Sequence, residues 1–316
     1  MATQLEAIAD RLRSQLPGTS EDRIEIWLQD RPQVIWLFPF DHQVGAVTNF
    51  WTGRIHATDS SPDLLIELAH EMVHAMLGPS WDSLPPTLEE GLCDVMASGV
   101  VLPSEDLRSD RIVRAMAAAG GPPLRLRLHT GDGGWSEHVV SVKPDLPGAL
   151  DLRDTFSRDS GQVRPYHGDR SRKVWYGLAY VAAKRLVDAL GAEGLRELSR
   201  RAGELDEDHA VALFASAAGL GADASDWRDA IRENVDREVL QGIARRLSEP
   251  LARETLAIVS RRVEGGSPEQ RAELARPRLY LEGVSEFVEL LEEPAYAAAL
   301  RVQFQVDRDG GRGARR

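Results

Sequence analysis

The chain has 316 residues, 42% hydrophobic and 28% charged, a balance that excludes fibrous and disordered classes and allows one large core or two modest ones. Its formal net charge of −12 and pI near 5.2 argue against a general nucleic-acid or anionic-membrane binder, since either needs a basic face. Cys93 is the single cysteine, read as a small buried hydrophobe, and no apolar run reaches the length of a membrane span, so the expected location is the cytoplasm.

In chain order, residues 1–16 read as an amphipathic helix without the apolar core of a signal peptide. Ile24-Glu25-Ile26-Trp27-Leu28 alternates like a half-buried strand, and Val34-Ile35-Trp36-Leu37-Phe38 is a continuous buried-strand run. Residues 45–57, β-branched and aromatic with no proline, are predicted to be a third strand or hairpin. A largely apolar helix over 62–77 follows, bracketed by Ser61-Pro62-Asp63 at its start and Gly78-Pro79 at its end. A second helix is predicted from Thr87 to about Val100, and another over 108–119. Leu124-Arg125-Leu126-Arg127-Leu128 has period two and could pair with 139–142 as a hairpin. Residues 144–172, rich in Pro, Gly, Asp, Ser and Arg, read as a long loop of the kind that covers or lines sites. Helices are expected over 174–190, 194–201, 207–218 and 227–235, then over 237–263 and 284–303.

These elements imply an α+β fold: a small N-terminal mixed sheet with the site helices packed on it, then a mostly α-helical C-terminal half. The expected organisation is one domain over 1–236, made of an α/β part at 1–60, a metal-site part at 61–143, the loop at 144–172 and a helical part at 173–236. A helical region at 237–304 and a disordered tail at 305–316, Gly/Arg-rich from Asp307, complete the chain.

The chemistry is concentrated in His70-Glu71-Met72-Val73-His74. Two imidazoles four residues apart lie about 40° apart around a helix of 3.6 residues per turn, so both can face one metal ion, with Glu71 beside its open side. This is the spacing of a zinc hydrolase whose histidines bind Zn²⁺ while the glutamate serves a water as general base. A catalytic zinc needs a third protein ligand. The metzincin pattern would put Gly and His three and six residues after His74, but Leu77 and Ser80 stand there. Glu90, sixteen residues after His74, can be brought back by the short Pro-containing connection, with Glu89 the fallback. The competing reading makes Glu90 the far end of a Thr87-x-x-Glu90 capping box.

Glu90-Gly91-Leu92-Cys93-Asp94 after this histidine pair resembles the second active-site helix of the gluzincins, the thermolysin-like and aminopeptidase-like zinc peptidases. The resemblance implies a zincin-like fold, one Zn²⁺ per chain held by His70, His74 and Glu90, and Asp94 as acceptor of a hydrogen bond from the non-ligating nitrogen of His70. The interval after His74 is shorter than in thermolysin, and Thr87 stands where many relatives have Trp. Gly45-Ala46-Val47-Thr48-Asn49 resembles the Gly-Ala-Met-Glu-Asn strand of gluzincin aminopeptidases, whose glutamate binds the peptide amine, but Thr48 carries no charge for that role. Asn49-Phe50-Trp51 is similar to the edge strand of thermolysin, which implies substrate contacts for Asn49 and Phe50. Tyr176, opening Tyr176-Gly177-Leu178-Ala179-Tyr180, matches the family's oxyanion-binding tyrosine, with Tyr180 the alternate and a second candidate for substrate binding.

The resemblance spans about residues 24–235 and implies a zinc-dependent peptide-bond hydrolase, an endopeptidase or oligopeptidase of restricted range acting on a peptide or protein substrate. The alternatives are an aminopeptidase, or a metal-containing scaffold or regulatory protein using the C-terminal helices to bind a protein partner. No nucleic-acid or membrane partner is expected. His56, His129, His138 and His167 have no assigned role, although His167, on the long loop, could approach the site.

Overall fold

The computed structural model describes residues 1–20, 23–29, 33–34, 43–44, 46–49, 54–58, 63–120, 124–129, 135–140, 150–160 and 168–236, with 238, 239, 242, 305 and 306. The strand residues 35–38, the helix start at Ser61-Pro62, Phe50, Trp51, His167 and the two C-terminal helices fall outside them almost entirely, as does the tail beyond 306. The chain divides into two compact units, residues 1–119 with 144–234, and residues 120–143 with 235–316.

The first unit is α+β. Helix α1 (Ala2–Gln15) buries Ile8 and Leu12 against the helices that follow. Strands β1 (Glu25–Gln29), β4 (Ala46–Asn49) and β5 (Arg54–Thr58) form a mixed sheet in the order β1-β5-β4. β1 runs parallel to β5, with Glu25 opposite Arg54, and β4 antiparallel to it, with Thr48 opposite Ile55. β2 (Gln33–Val34) and β3 (Gln43–Val44) form a separate antiparallel ladder of two residues each. The alternation of β5 puts Ile55 and Ala57 in the core.

Helix α2 (Leu64–Met76) lies on β4 and β5 and buries Leu68, Ala69, Met72, Val73 and Met76, the stripe that its apolar spacing calls for. A 3₁₀ turn at Pro79–Trp81 leads to α3 (Pro86–Val100), which packs against α2. Pro85 stands at the N-cap of α3, so Thr87 is inside the helix and not its cap. Instead, the Thr87 amide donates to Ser160 Oγ at 3.2 Å and its hydroxyl to the Asp154 carbonyl at 3.4 Å. Those partners flank or belong to α5 (Leu152–Phe156), capped by Asp151, within the stretch expected to be loop; a five-residue helix is too short to show a helical period in sequence. Helix α4 (Glu105–Ala119) follows α3, and α6 (Gly168–Ala202) is two helices merged across a kink at Gly191, where φ is 68°. Helices α7 (Glu207–Ala218) and α8 (Ala224–Glu233) complete the unit.

Two glycines set how closely α6 approaches its neighbours. A Cβ on Gly91 of α3 would lie 2.0 Å from the Ala179 carbonyl oxygen, and one on Gly177 of α6 would lie 2.3 Å from the Ala115 amide nitrogen of α4. Both obstacles are backbone and cannot swing aside. Gly91→Ala gains roughly 0.5–1 kcal/mol of helix propensity, but overpacking typically costs about 1–3 kcal/mol and the clash here is severe. The expected net result is a loss of at least about 1 kcal/mol, read as a lower urea midpoint at constant m-value. A midpoint equal to wild type would show that α3 and α6 part without cost.

In the second unit β6 (Leu124–His129) and β7 (Trp135–Val140) form a hairpin, with Leu124 opposite Val140 and His129 opposite Trp135, so that the partner strand begins at 135 and not at the expected 139. β8 (Gln305–Val306), two residues assigned above to the tail, pairs with the other side of β6.

Candidate metal centre

His70 and His74, one turn apart on α2, meet edge to face with ring centroids 5.0 Å apart. Their outer nitrogens converge on one oxygen of α3: Glu90 Oε2 lies 3.2 Å from His70 Nε2 and 3.7 Å from His74 Nε2. Bonds of about 2.0–2.1 Å around a tetrahedral zinc place neighbouring ligand atoms roughly 3.3 Å apart, so this donor set has the dimensions of a zinc site.

The inner nitrogens are held as well. His70 Nδ1 is 2.9 Å from Asp94 Oδ1, and His74 Nδ1 is 2.6 Å from Glu89 Oε1. Each carboxylate favours a proton on Nδ1, which leaves the Nε2 lone pair for a metal. Helix periodicity explains the division of labour on α3, because Glu90 and Asp94 are four residues apart on one face while Glu89 lies next to it.

Asp94 is itself fixed by a cation. Arg111 of α4 donates from Nε to Asp94 Oδ2 at 2.5 Å and from Nη2 to Oδ1 at 3.2 Å, and its Nη1 reaches Asp110 at 2.9 Å. The Arg111 guanidinium also lies over the Tyr176 ring, 5.1 Å from its centroid, and Trp175 packs edge-on against the same ring. Tyr176 is therefore one residue removed from the group that orients His70. Tyr180, 2% exposed, lies in the core. Asn49 ends β4 opposite Arg54.

Glu71 faces away from the imidazoles toward the sheet. Its Oε2 accepts from the Thr48 hydroxyl at 2.5 Å, and Thr48 Oγ1 is also 3.1 Å from the Glu71 carbonyl oxygen.

Cys93 enters the cluster too: it, His70 and His74 offer ligand atoms that all lie within 4.8 Å of one another. The residue is fully buried, as expected of a small hydrophobe, but its sulfur sits with donors. Three of the neighbours found here have weak or no local signals in sequence. Cys93 looks like packing, Arg111 sits in the ordinary charged run of α4, and Thr48 stands out only as a missing carboxylate. Asp94 is the partner that the resemblance assigns to His70, whereas Glu89, named above only as a fallback ligand, holds His74 Nδ1.

The charges of the cluster respond to this crowding. Burial alone would lower the pKa of both imidazoles, but the Cys93 sulfur with Asp94 and Glu90 around His70, and with Glu89 and Glu90 around His74, hold them well above the ordinary imidazole value. Burial would raise Glu90, yet hydrogen bonds from both histidines hold it well below the usual carboxylate range; burial would raise Asp94, and Arg111 and His70 hold it low. Three carboxylates, Glu89, Glu90 and Asp94, thus surround the two rings with Arg111 as the fixed cation, a field that favours a bound dication.

Comparison with protein-family models, curated proteins and solved structures finds no match.

The fit of the donor set to zinc makes Asp94 testable. Asp94→Ala frees His70 Nδ1 and strips the buried Arg111 of its bidentate partner. Zinc affinity is expected to fall about ten- to a hundredfold without being abolished, as measured by competition with a chromophoric chelator. Wild-type affinity would assign Asp94 to helix packing alone.

Proposed function

We propose that this chain is a zinc-dependent peptide-bond hydrolase with a zincin-like catalytic centre, acting as an endopeptidase or oligopeptidase on a peptide or protein substrate. One observation carries the reading: two Nε2 atoms and Glu90 Oε2 converge while both Nδ1 atoms are held by carboxylates. His70, His74 and Glu90 would hold the zinc, which when bound would supply Lewis acidity to a carbonyl and lower the pKa of water toward about 7. Glu71 would serve as the general base that accepts a proton from water and returns it to the leaving amine. The side chains of His70 and Glu90 are each 15% exposed. An extended substrate can pair with β4, an edge strand of the three-stranded sheet. Thr48 is neutral and engaged with Glu71, which favours this reading over an aminopeptidase that must bind a free ammonium group.

Tyr176 is the proposed oxyanion donor. Tyr176→Phe keeps the ring that packs on Arg111, so folding should be unchanged while kcat falls by about a hundred- to a thousandfold, roughly 2.7–4 kcal/mol of lost transition-state stabilisation. Full turnover in the Phe variant, with loss in Tyr180→Phe, would shift the role by one turn.

Cys93 favours a second reading. A thiolate joining His70, His74 and Glu90 would close the coordination sphere, as in structural zinc sites, and make the chain a metal-containing scaffold or regulatory protein. The deciding experiment measures zinc content and peptide-library cleavage in wild type and Glu71→Gln. Cleavage by wild type alone supports the hydrolase, cleavage restricted to peptides with a free α-amine supports the aminopeptidase, and one zinc without cleavage supports the scaffold. Among the described residues no helix is long and apolar enough to cross a membrane. The proposed cytoplasmic location suits a chain whose one thiol is buried and needs no oxidising compartment.

A further inference from the structure

Among the described residues Thr48 is the one hydrogen-bond partner of the Glu71 carboxylate, and it belongs to the sheet, outside the donor cluster. Resting on the zinc reading above, we propose that Thr48 is a positioning residue that keeps Glu71 a base and prevents it from becoming a ligand. Glu71 adjoins His70 in sequence, and a carboxylate next to a ligand of a dication would be pulled toward that charge. Ligation by Glu71 would occupy the open position and consume the base in one movement. The restraint must therefore be rigid, and Thr48 is so in three respects. Its backbone is paired with Ile55 in the sheet, its β-branched side chain has few rotamers, and it is 5% exposed, so water does not compete for the bond. The bond is short, 2.5 Å, and charge-assisted, and it occupies Oε2 while leaving the other oxygen of Glu71 without a partner among the described residues.

The neutrality of Thr48 matters as much as its hydroxyl. A carboxylate at this position would repel Glu71 and drive it toward the metal, whereas a hydroxyl donates to it. The same side chain thus withholds an amine-binding charge and supplies the tether.

The test uses the full-length protein loaded with Co²⁺, whose visible spectrum shifts when a carboxylate replaces a bound water. Thr48→Val keeps the branched shape and removes the hydroxyl. It is expected to bind Co²⁺ with a shifted spectrum, to lose about ten- to a hundredfold in kcat at unchanged KM, and to regain the wild-type spectrum when combined with Glu71→Gln. Thr48→Ser, which keeps the hydroxyl, should match wild type in spectrum and turnover. If the valine variant does not fold, Thr48→Ala, which adds no bulk, gives the same readings with the same consequence. A spectrum and kcat equal to wild type in Thr48→Val or Thr48→Ala overturn the proposal while leaving the zinc reading intact. Failure of wild type to bind Co²⁺ or Zn²⁺ overturns the zinc reading and this proposal together.

Discussion

Glu71→Gln is expected to lower peptide hydrolysis by about 10²–10⁴-fold while one zinc per chain remains bound. The amide is nearly isosteric with the carboxylate, and its oxygen can still accept from the Thr48 hydroxyl, so the strand-to-helix contact survives. What disappears is proton acceptance. Zinc content by elemental analysis and cleavage of a peptide library, run on the same preparation, separate the two roles. Loss of zinc together with activity would make Glu71 a ligand, and retention of full activity would place the base elsewhere.

The second large effect concerns the metal itself. His70→Ala or His74→Ala each removes one of three proposed ligands and should reduce bound zinc from one per chain to near zero. Each also leaves Glu90 with a single histidine beside it in a site where burial disfavours its charge. Metal uptake by wild type should release protons, because both imidazoles hold theirs more tightly than an exposed histidine and must give up the Nε2 proton to bind. Affinity should therefore rise with pH through and above the ordinary imidazole range. The metal-free fold is expected to have the opposite sense: raised folded-state imidazole pKa values contribute stability that is full below the unfolded value and lost as pH rises through the folded one. Calorimetry in two buffers of different ionisation enthalpy reads the released protons. Unchanged zinc content in both alanine variants would sink the site.

Much of this arrangement is legible in the residues, for reasons that are local. The histidine pair, Glu90 and Asp94 lie on helices whose period fixes the direction of every side chain, so spacing alone predicts which share a face. The parallel pairing of β1 with β5 is not legible, because strand order depends on contacts between segments far apart in the chain, and the edge position of β4 is suggested only by resemblance. The same holds for Thr48 and Arg111. Thr48 meets Glu71 across 23 positions and Arg111 meets Asp94 across 17, and neither contact leaves a periodic trace. Gly91 is the reverse case. Its place after Glu90 marks a motif by resemblance, whereas its physical reason, the Ala179 carbonyl oxygen, becomes visible only once α6 is laid against α3.

The close seating of α6 on Gly91 and through Gly177 separates two kinds of information along the chain. Every side chain of the donor cluster and its supports, from Thr48 through Arg111, is encoded before residue 120, yet the surface that fixes the spacing of α3 and α4 is encoded after residue 167. During synthesis the ligands emerge long before their frame. A nascent chain carrying all of them would hold a full set of donors with no enforced geometry, and metal capture would await the arrival of α6. On the zinc reading, loading of the ion would in that sense be a late event, timed by the chain's own order of appearance.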